Sequence, residues 1–422
     1  MNRSAQVAYR AASDLAGKGA FFVVTLLAAR RLSHEAFGIF SIGTTLGWMA
    51  AVASDFGIQM HLARSVAHGA GRAADLLAAW LGVRSWLSAA VIAIAAAIAA
   101  VTASGGSATL AILLITVAYV AAGLVESVNY FYRGLGRTEI ESTLTVVQRA
   151  ALLVLVAAAL WLSPTVVAVG VAMVVPPAAA LAWSVARAQT LAAAVSAGTG
   201  EPARPIDVRG ELLRDVLPIG AGIVLSAIYF RIDILLLQLW NGTDAVATYN
   251  AVFRLVDGLR LLPAAIVAVA LPALCRATTL QPLIKTSILV TGAAVVITAV
   301  VWLAAGSVVP LLYGSSYANG VPAFRILLLA YPLMALNHAL TCQLIGWHGH
   351  RAYAATCAAA LLFNLAANAA VLPAYGIAGA AWTTVATEIA ITLGSIVALI
   401  PRSARAALAR GDEPQADLLG AF

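Results

Sequence analysis

The feature that most constrains this chain is a succession of apolar stretches, each long enough to cross a bilayer. A membrane-spanning helix needs about 20 mostly apolar residues, and such stretches fill most of the 422 residues. The chain is only 10% charged, whereas soluble domains are about 25% charged. We therefore predict an all-α integral membrane protein with about twelve spanning helices. The predicted spans are 12–30, 37–57, 77–102, 108–128, 143–163, 165–187, 216–239, 246–272, 286–312, 323–346, 352–373 and 376–400.

The longest connection between these stretches separates two sets of six spans. The segment EAFGIFS at 35–41 is matched by DAVATYN at 244–250, each at the start of the second span of its set. Since six is even, both sets enter the membrane in the same direction, which predicts a parallel pseudo-repeat around a central cavity. The predicted units are an N-terminal six-helix lobe at 1–188, a cytoplasmic connection at 189–215, a C-terminal six-helix lobe at 216–400 and a cytoplasmic tail at 401–422.

The basic residues between the spans predict the orientation. If the N-terminus is cytoplasmic, sixteen Lys and Arg residues lie on that side, against Arg30, Arg31 and at most Arg325 on the other. Such an excess is typical of cytoplasmic loops. We therefore predict a multi-pass protein of the cytoplasmic (inner) membrane with both termini inside, and we attribute the net charge of +7 to orientation rather than nucleic-acid binding.

The eighth predicted span carries an unusual ladder of charge. Arg254, Asp257 and Arg260 are spaced three residues apart, so each can reach the next along one side of a helix. Charge at membrane depth normally faces a cavity or a partner. Two arginines against one acid leave surplus positive charge, and a guanidinium matches phosphate geometry. We expect this ladder to bind a diphosphate group.

Other charges within the spans allow both a structural and a functional interpretation. Arg231 and Asp233 are two residues apart and cannot share one helix face, whereas Asp14 and Lys18 are four apart and can pair. For Arg84, Arg149 and Arg325, reaching to the membrane interface is the competing interpretation. The predicted cation sites for substrate are Arg254, Arg260, Arg231, Arg149 and Lys18, and the predicted cavity or ion-coupling acids are Asp257, Asp233, Asp14, Glu126 and Glu388.

Neutral polar side chains within the spans suit either sugar hydroxyls or helix–helix hydrogen bonds. The sugar-contact candidates are Asn129, Tyr130, Asn250 and Gln343. No phosphate-binding loop motif occurs, and His348 and His350 lack a neighbouring cysteine or acid that would complete a metal site. We therefore expect no cofactor and no metal. The outer loops are too short for a membrane-bound glycosyltransferase, so we expect a transporter rather than an enzyme.

Several motifs resemble those of one transporter family, and they occur in the same order along the chain. The last of them, with two asparagines and a proline–tyrosine–glycine segment, is the most specific. The matching segments are SDFGI at 54–58, LARSVA at 62–67, YFYRGLGR at 130–137, RID at 231–233, YNAVFRL at 249–255, Asn364 with Asn368, LPAYGIAGAA at 372–381 and Glu388. They resemble the polysaccharide flippases of the multidrug/oligosaccharidyl-lipid/polysaccharide exporter superfamily.

This resemblance implies a V-shaped pair of lobes that moves a polyprenyl-diphosphate oligosaccharide by ion-coupled alternating access. Such a flippase would serve O-antigen, capsule or exopolysaccharide assembly, with a polymerase or glycosyltransferase as partner and membrane lipid around a monomer. The related lipid II flippases usually carry two extra helices, for which the chain offers no room. A proton- or sodium-coupled exporter of organic cations is the alternative, and a net-negative cavity would favour it.

Overall fold

The computed structural model describes residues 3–103, 105–199, 206–277 and 279–408. Within these ranges the chain is helical and no strand occurs, which is the expected solution in lipid because a helix satisfies its own backbone hydrogen bonds. The helices are α1 Arg3–Arg31, α2 His34–Asp55, α3 Ile58–His68, α4 Ala73–Thr102, α5 Gly106–Gly134, α6 Thr138–Leu162, α7 Val166–Thr199, α8 Val208–Glu211, α9 Leu217–Leu259, α10 Leu261–Arg276, α11 Gln281–Tyr313, α12 Val321–Gly346 and α13 His350–Leu408.

Two helices are too long to cross the membrane once. These helices are α9 and α13. Helix α9 belongs to a continuous apolar helical segment, Val208–Arg276, of 69 residues. Its length is roughly 100 Å at about 1.5 Å per residue, against a hydrocarbon core of about 30 Å. A glycine divides each: Gly242 (φ 80°) in α9 and Gly376 (φ 50°) in α13. Positive φ is accessible to glycine at little cost. When α9 and α13 are each counted as two segments and α1 is included, the described residues provide about twelve spanning segments, as predicted.

The eighth predicted span is interrupted three residues before Pro263. Helix α9 ends at Leu259 and α10 begins at Leu261. Pro263 has no backbone N–H, so the carbonyl of Leu259 loses its helical donor. The hydroxyl of Tyr331 on α12 donates to that carbonyl at 2.9 Å. The helix is therefore interrupted beside this proline, and a neighbouring helix compensates for the lost hydrogen bond.

The predicted unit boundaries differ from the helix ends. Helix α7 continues through Thr199, eleven residues into the predicted connection at 189–215. Helix α13 passes Pro401 and ends at Leu408, so the tail expected from 401 starts as helix, and residues 409–422 lie outside the described part. Within the connection the described residues form the short helix α8, followed by a π turn at Leu212–Val216.

The helices form two lobes joined along α2 and α9. Helices α1, α2 and α4 to α7 pack together, as do α9 to α13. The lobes contact each other along much of α2, and one contact zone lies where α2 begins, at the end that the basic residues predict to be outside the cell. There His34 Nε2 lies 3.0 Å from Thr248 Oγ1, Tyr317 donates to the carbonyl of Ala29 at 3.3 Å, and Arg30 donates to the last carbonyls of α11. We call this contact zone the outer seam.

Candidate functional site

A cavity of about 640 Å³ lies between the lobes. Its wall includes Phe21 of α1, Trp48 of α2 and Tyr119 of α5, and it extends to Gln59 and Met60 on α3, beyond the end of α2 opposite the outer seam. The cavity therefore reaches towards the predicted cytoplasmic side. Its charged lining residues are Asp55, Arg84, Glu126, Arg149, Arg254 and Asp257.

The predicted charge ladder forms a cluster around one carboxylate. Asp257 is 3.5 Å from both Arg254 and Arg260, measured from guanidinium nitrogen to carboxylate oxygen. Arg231 enters the same cluster from the first arm of α9, with its Nη2 2.9 Å from Asp257 Oδ2. Three cations therefore share one acid, and we call these four residues the arginine cluster. One face of the cluster lines the cavity through Arg254 and Asp257.

Arg254 makes only long hydrogen bonds to Asp257 and Thr44. Each of these two hydrogen bonds is 3.5 Å long. The buried Nε of Arg254 has no partner among the described residues. Buried donors without partners are costly, so this side chain is suited to bind an anionic ligand.

Aromatic rings hold the other arginines in place. The guanidinium carbon of Arg260 lies 4.1 Å from the centroid of the Phe230 ring, and that of Arg231 lies 4.5 Å from the Phe253 ring. A cation over a ring face is stabilised by the ring quadrupole. These rings allow the chain to keep surplus cations without an equal number of acids.

The interface-reaching interpretation of Arg84 is wrong. Arg84 is buried and bonds to Asp55 and to Ser127. The Asp55 carboxylate also accepts the backbone N–H groups of Gly57 and Gln59, each at 3.2 Å. Because an opposite charge is available within hydrogen-bond distance, the side chain pairs there instead of extending to the membrane surface. The pair is balanced and adds no net charge to the cavity.

Glu126 has an arginine as its partner. It accepts from Arg133 at 2.8 Å, and Arg133 also binds Glu141. Arg149 lines the cavity beside Gly17, with no ion-pair partner among the described side chains. The side chains of Asp14 and Lys18 lie outside the described part of the structure. The described lining of the main cavity thus holds three arginines and three acids, and the surplus positive charge beside it comes from Arg231 and Arg260 of the arginine cluster.

Four sugar-contact candidates lie outside the lining of this cavity. Asn250 is fully buried and donates to Ser41 at 2.8 Å, and Asn129 donates to Glu126. The Tyr130 ring lies under Arg133, with 3.9 Å between guanidinium carbon and ring centroid. Gln343 donates to the carbonyl of Leu274 near the end of α10. Each has a helix-packing contact, so a role in sugar binding stays a prediction.

Asp233 and Arg231 do not pair with each other. Asp233 is buried and accepts from Tyr249 at 2.6 Å, whereas Arg231 binds Asp257 and Asn250. As the two-residue spacing requires, the side chains point to different neighbours. Asp233 thus has a neutral hydroxyl as its hydrogen-bond donor.

A second cavity of about 170 Å³ lies mainly in the lobe formed by α9 to α13. It contains Glu388, which accepts from Asn337 at 2.7 Å. Arg260 lines this cavity while it pairs with Asp257, and Trp48 lines both cavities. Sequence patterns gave no signal for Trp48 or Phe230, because isolated aromatic residues are common in membrane helices. Among the described residues no group of three His, Cys, Asp or Glu side chains could hold a metal ion.

Comparisons with known proteins agree with this geometry. The family described as "Polysaccharide biosynthesis protein" matches residues 4–278, and no curated protein matches the sequence. A multidrug resistance MATE family transporter of the MOP superfamily, solved inward-facing, shares the fold with a TM-score of 0.67 at 16% identity, over 95% of this chain and 96% of that chain. An outward-facing MATE structure gives 0.61 at 15% identity, over 97% of each chain.

The lipid II flippase MurJ, in an inward closed conformation, has the same fold. Its TM-score is 0.66 at 10% identity, and the match covers 98% of this chain and 94% of that one. Identities this low show the fold alone. The coverage does not support the expectation that lipid II flippases extend well beyond this chain, so the number of helices carries no argument about the substrate.

Proposed function

Because the chain belongs to the polysaccharide biosynthesis protein family, we propose that it flips a polyprenyl-diphosphate oligosaccharide across the cytoplasmic membrane. The arginine cluster on the cavity wall is the observation that carries this proposal. A diphosphate supplies the negative charge that Asp257 alone does not, and it can accept from the under-satisfied guanidinium of Arg254. The lipid tail stays in the bilayer while the headgroup occupies the cavity. The product serves O-antigen, capsule or exopolysaccharide assembly.

The position of the cavity supports alternating access with both termini in the cytoplasm. The lobes touch at the outer seam, and the cavity reaches the opposite end of α2. This arrangement can load a headgroup made on the cytoplasmic side. Opening of the outer seam would then release it outside.

An ion gradient drives the cycle in this proposal. Among the candidate acids with described side chains, Asp257 and Glu126 are bound by arginines, whereas Asp233 and Glu388 accept from neutral groups. An arginine partner favours the charged form of an acid, so the acids with neutral partners are better suited to exchange a proton or bind a cation. Replacing Asp233 by Asn or Glu388 by Gln should abolish the response of transport to an imposed proton or sodium gradient. An unchanged response in both variants would contradict this assignment.

The decisive experiment measures translocation of a labelled polyprenyl-diphosphate oligosaccharide in proteoliposomes. We expect Arg254→Ala and Arg260→Ala to reduce apparent affinity by about tenfold to a hundredfold, because each charge-assisted hydrogen bond contributes about 1.5–3 kcal/mol. Arg325→Ala is the matched control. Arg325 also lies in a spanning helix but stacks on Trp302, with 4.8 Å between guanidinium carbon and ring centroid, and lines neither cavity.

Two results would contradict the proposal. The first is wild-type transport that persists at full affinity in folded Arg254→Ala and Arg260→Ala proteins. The second is export of an organic cation with no movement of the diphosphate lipid, which would favour a multidrug exporter. A peptidoglycan precursor linked through the same diphosphate serves as the comparison substrate for sugar specificity.

A further inference from the structure

The second cavity adjoins the arginine cluster through residues that belong to both regions. Arg260 lines the second cavity, and its Nη1 lies 3.5 Å from Asp257 on the wall of the main cavity. Trp48 lines both cavities, and its ring stands 6.1 Å from the ring of Phe230, centroid to centroid. A ligand held by the arginine cluster is therefore next to the second cavity.

The second cavity has the lining of a hydroxyl-binding site. Its polar groups come from three elements: Tyr229 on α9, Asn337 and Thr341 on α12, and Tyr353 and Glu388 on α13. They include a carboxylate, an amide and hydroxyls, which together can accept and donate hydrogen bonds to a polyol. The aromatic rings of Trp48 and Phe230 add an apolar surface. Flat apolar surface beside convergent polar groups is the usual composition of a small-ligand pocket.

The size of the second cavity limits what it can hold. Its volume of about 170 Å³ corresponds to five or six waters at about 30 Å³ each. That space suits one sugar ring and is too small for a prenyl chain or an oligosaccharide. The remaining sugars would have to stay in the larger cavity of about 640 Å³.

We propose that the second cavity is a subsite for one sugar ring of the headgroup, next to the diphosphate held by the arginine cluster. This inference rests on the proposed function. It assigns the recognition of sugar to the lobe of α9 to α13, with Glu388 and Thr341 facing the ring. Recognition of the diphosphate stays with Arg254 and Arg260.

The test is equilibrium binding in detergent, without any ion gradient. The probes are a short-chain prenyl diphosphate and the same lipid carrying one sugar, taken from a panel of hexose, N-acetylhexosamine and deoxyhexose. We expect wild type to bind at least one glycosylated probe about tenfold more tightly than the bare lipid, since a few neutral hydrogen bonds contribute about 0.5–1.5 kcal/mol each.

Two variants fill the cavity from different helices. Thr341→Phe acts from α12, and Ser226→Leu acts from α9. Among the described residues, the Thr341 hydroxyl donates only to carbonyls of its own helix, those of Asn337 and His338. We expect both variants to lose the preference for the glycosylated probe. The Kd of the bare lipid should stay unchanged. Leu329→Phe is the matched control, because Leu329 lies on α12 but is exposed on the outer surface of the bundle.

The outcomes separate this inference from the proposed function. If wild type binds neither lipid, both fail. If it binds bare and glycosylated lipids equally, or if both filling variants keep the preference for the glycosylated probe, the sugar subsite is wrong and the diphosphate site stands.

Discussion

The two lobes each contain a buried arginine group near the main cavity, and the two groups differ in charge balance. In the first lobe Arg84 meets one carboxylate, that of Asp55, and a hydroxyl. In the second lobe the arginine cluster places three guanidinium groups around Asp257. A balanced buried pair neutralises its own charge and serves the fold. An unbalanced cluster retains attraction for an added anion, which is why we place the substrate there.

The largest expected effect tests the balanced pair. Arg84→Ala leaves the Asp55 carboxylate buried without its cation, and breaking a buried pair in this way costs about 3–5 kcal/mol. We expect a corresponding loss of unfolding free energy in detergent, largely recovered when Asp55→Asn is added. Arg137→Ala is the control, because its pair with Glu139 is exposed and such pairs contribute only about 0–1 kcal/mol. Normal stability of Arg84→Ala would show that the pair is not structural.

The next test concerns the unbalanced cluster. Arg254→Lys keeps the charge but removes the fork that binds two phosphate oxygens. Losing one charge-assisted hydrogen bond should weaken binding of a prenyl diphosphate by about 1.5–3 kcal/mol, measured as Kd, with unfolding unchanged. Lysine binding as tightly as arginine would indicate that only the charge matters. Arg325→Lys provides the control.

Removing the shared acid should strengthen substrate binding, whereas removing an arginine should weaken it. Asp257→Asn retains an oxygen acceptor at nearly the same volume but removes the negative charge that competes with substrate. At an effective dielectric constant of about 20, a charge a few Å away contributes one to a few kcal/mol. We expect KM in proteoliposomes to fall about tenfold and turnover to fall as well, since release becomes slower. A raised KM with normal stability would mean that Asp257 mainly positions the arginines.

The smallest expected effect concerns the outer seam, where His34 and Thr248 form a contact between lobes. His34→Ala removes one hydrogen bond of about 1 kcal/mol, which should shift the ratio of the outer-open to the outer-closed state several-fold. Distances between spin labels at Leu162 and Tyr375, in a chain without its native cysteines, would report the shift. His68→Ala, at the opposite end of the bundle, should leave these distances unchanged. A seam that stays closed in His34→Ala would mean that other contacts hold it.

Much of the fold could be predicted from the sequence, because the membrane makes strong demands. Apolar length predicted the spans, and the missing N–H of Pro263 explains why the eighth span is interrupted. The family resemblance read from the short motifs is confirmed by the match over residues 4–278. The helix ends were less predictable: α7 and α13 continue past the predicted lobe ends into polar segments, because helical hydrogen bonding does not stop at the membrane surface.

The candidate site was predictable only where its residues share a helix. Helical spacing brought Arg254, Asp257 and Arg260 together, because residues three apart are neighbours on one helix. The fourth member, Arg231, precedes Gly242, where the chain reverses so that the second arm of α9 brings Asp257 back beside Arg231. No sequence spacing predicts that meeting.

What the sequence determined by itself was the number of apolar spans, the sign of the charge within them and the family. The tertiary structure decided which charges balance one another. Arg84 and Arg254 look alike in sequence, each an arginine in an apolar helix, yet Asp55 neutralises the first while two further arginines surround the partner of the second. The physical reason is that electrostatic energy depends on distance in space, and only packing of the helices sets those distances.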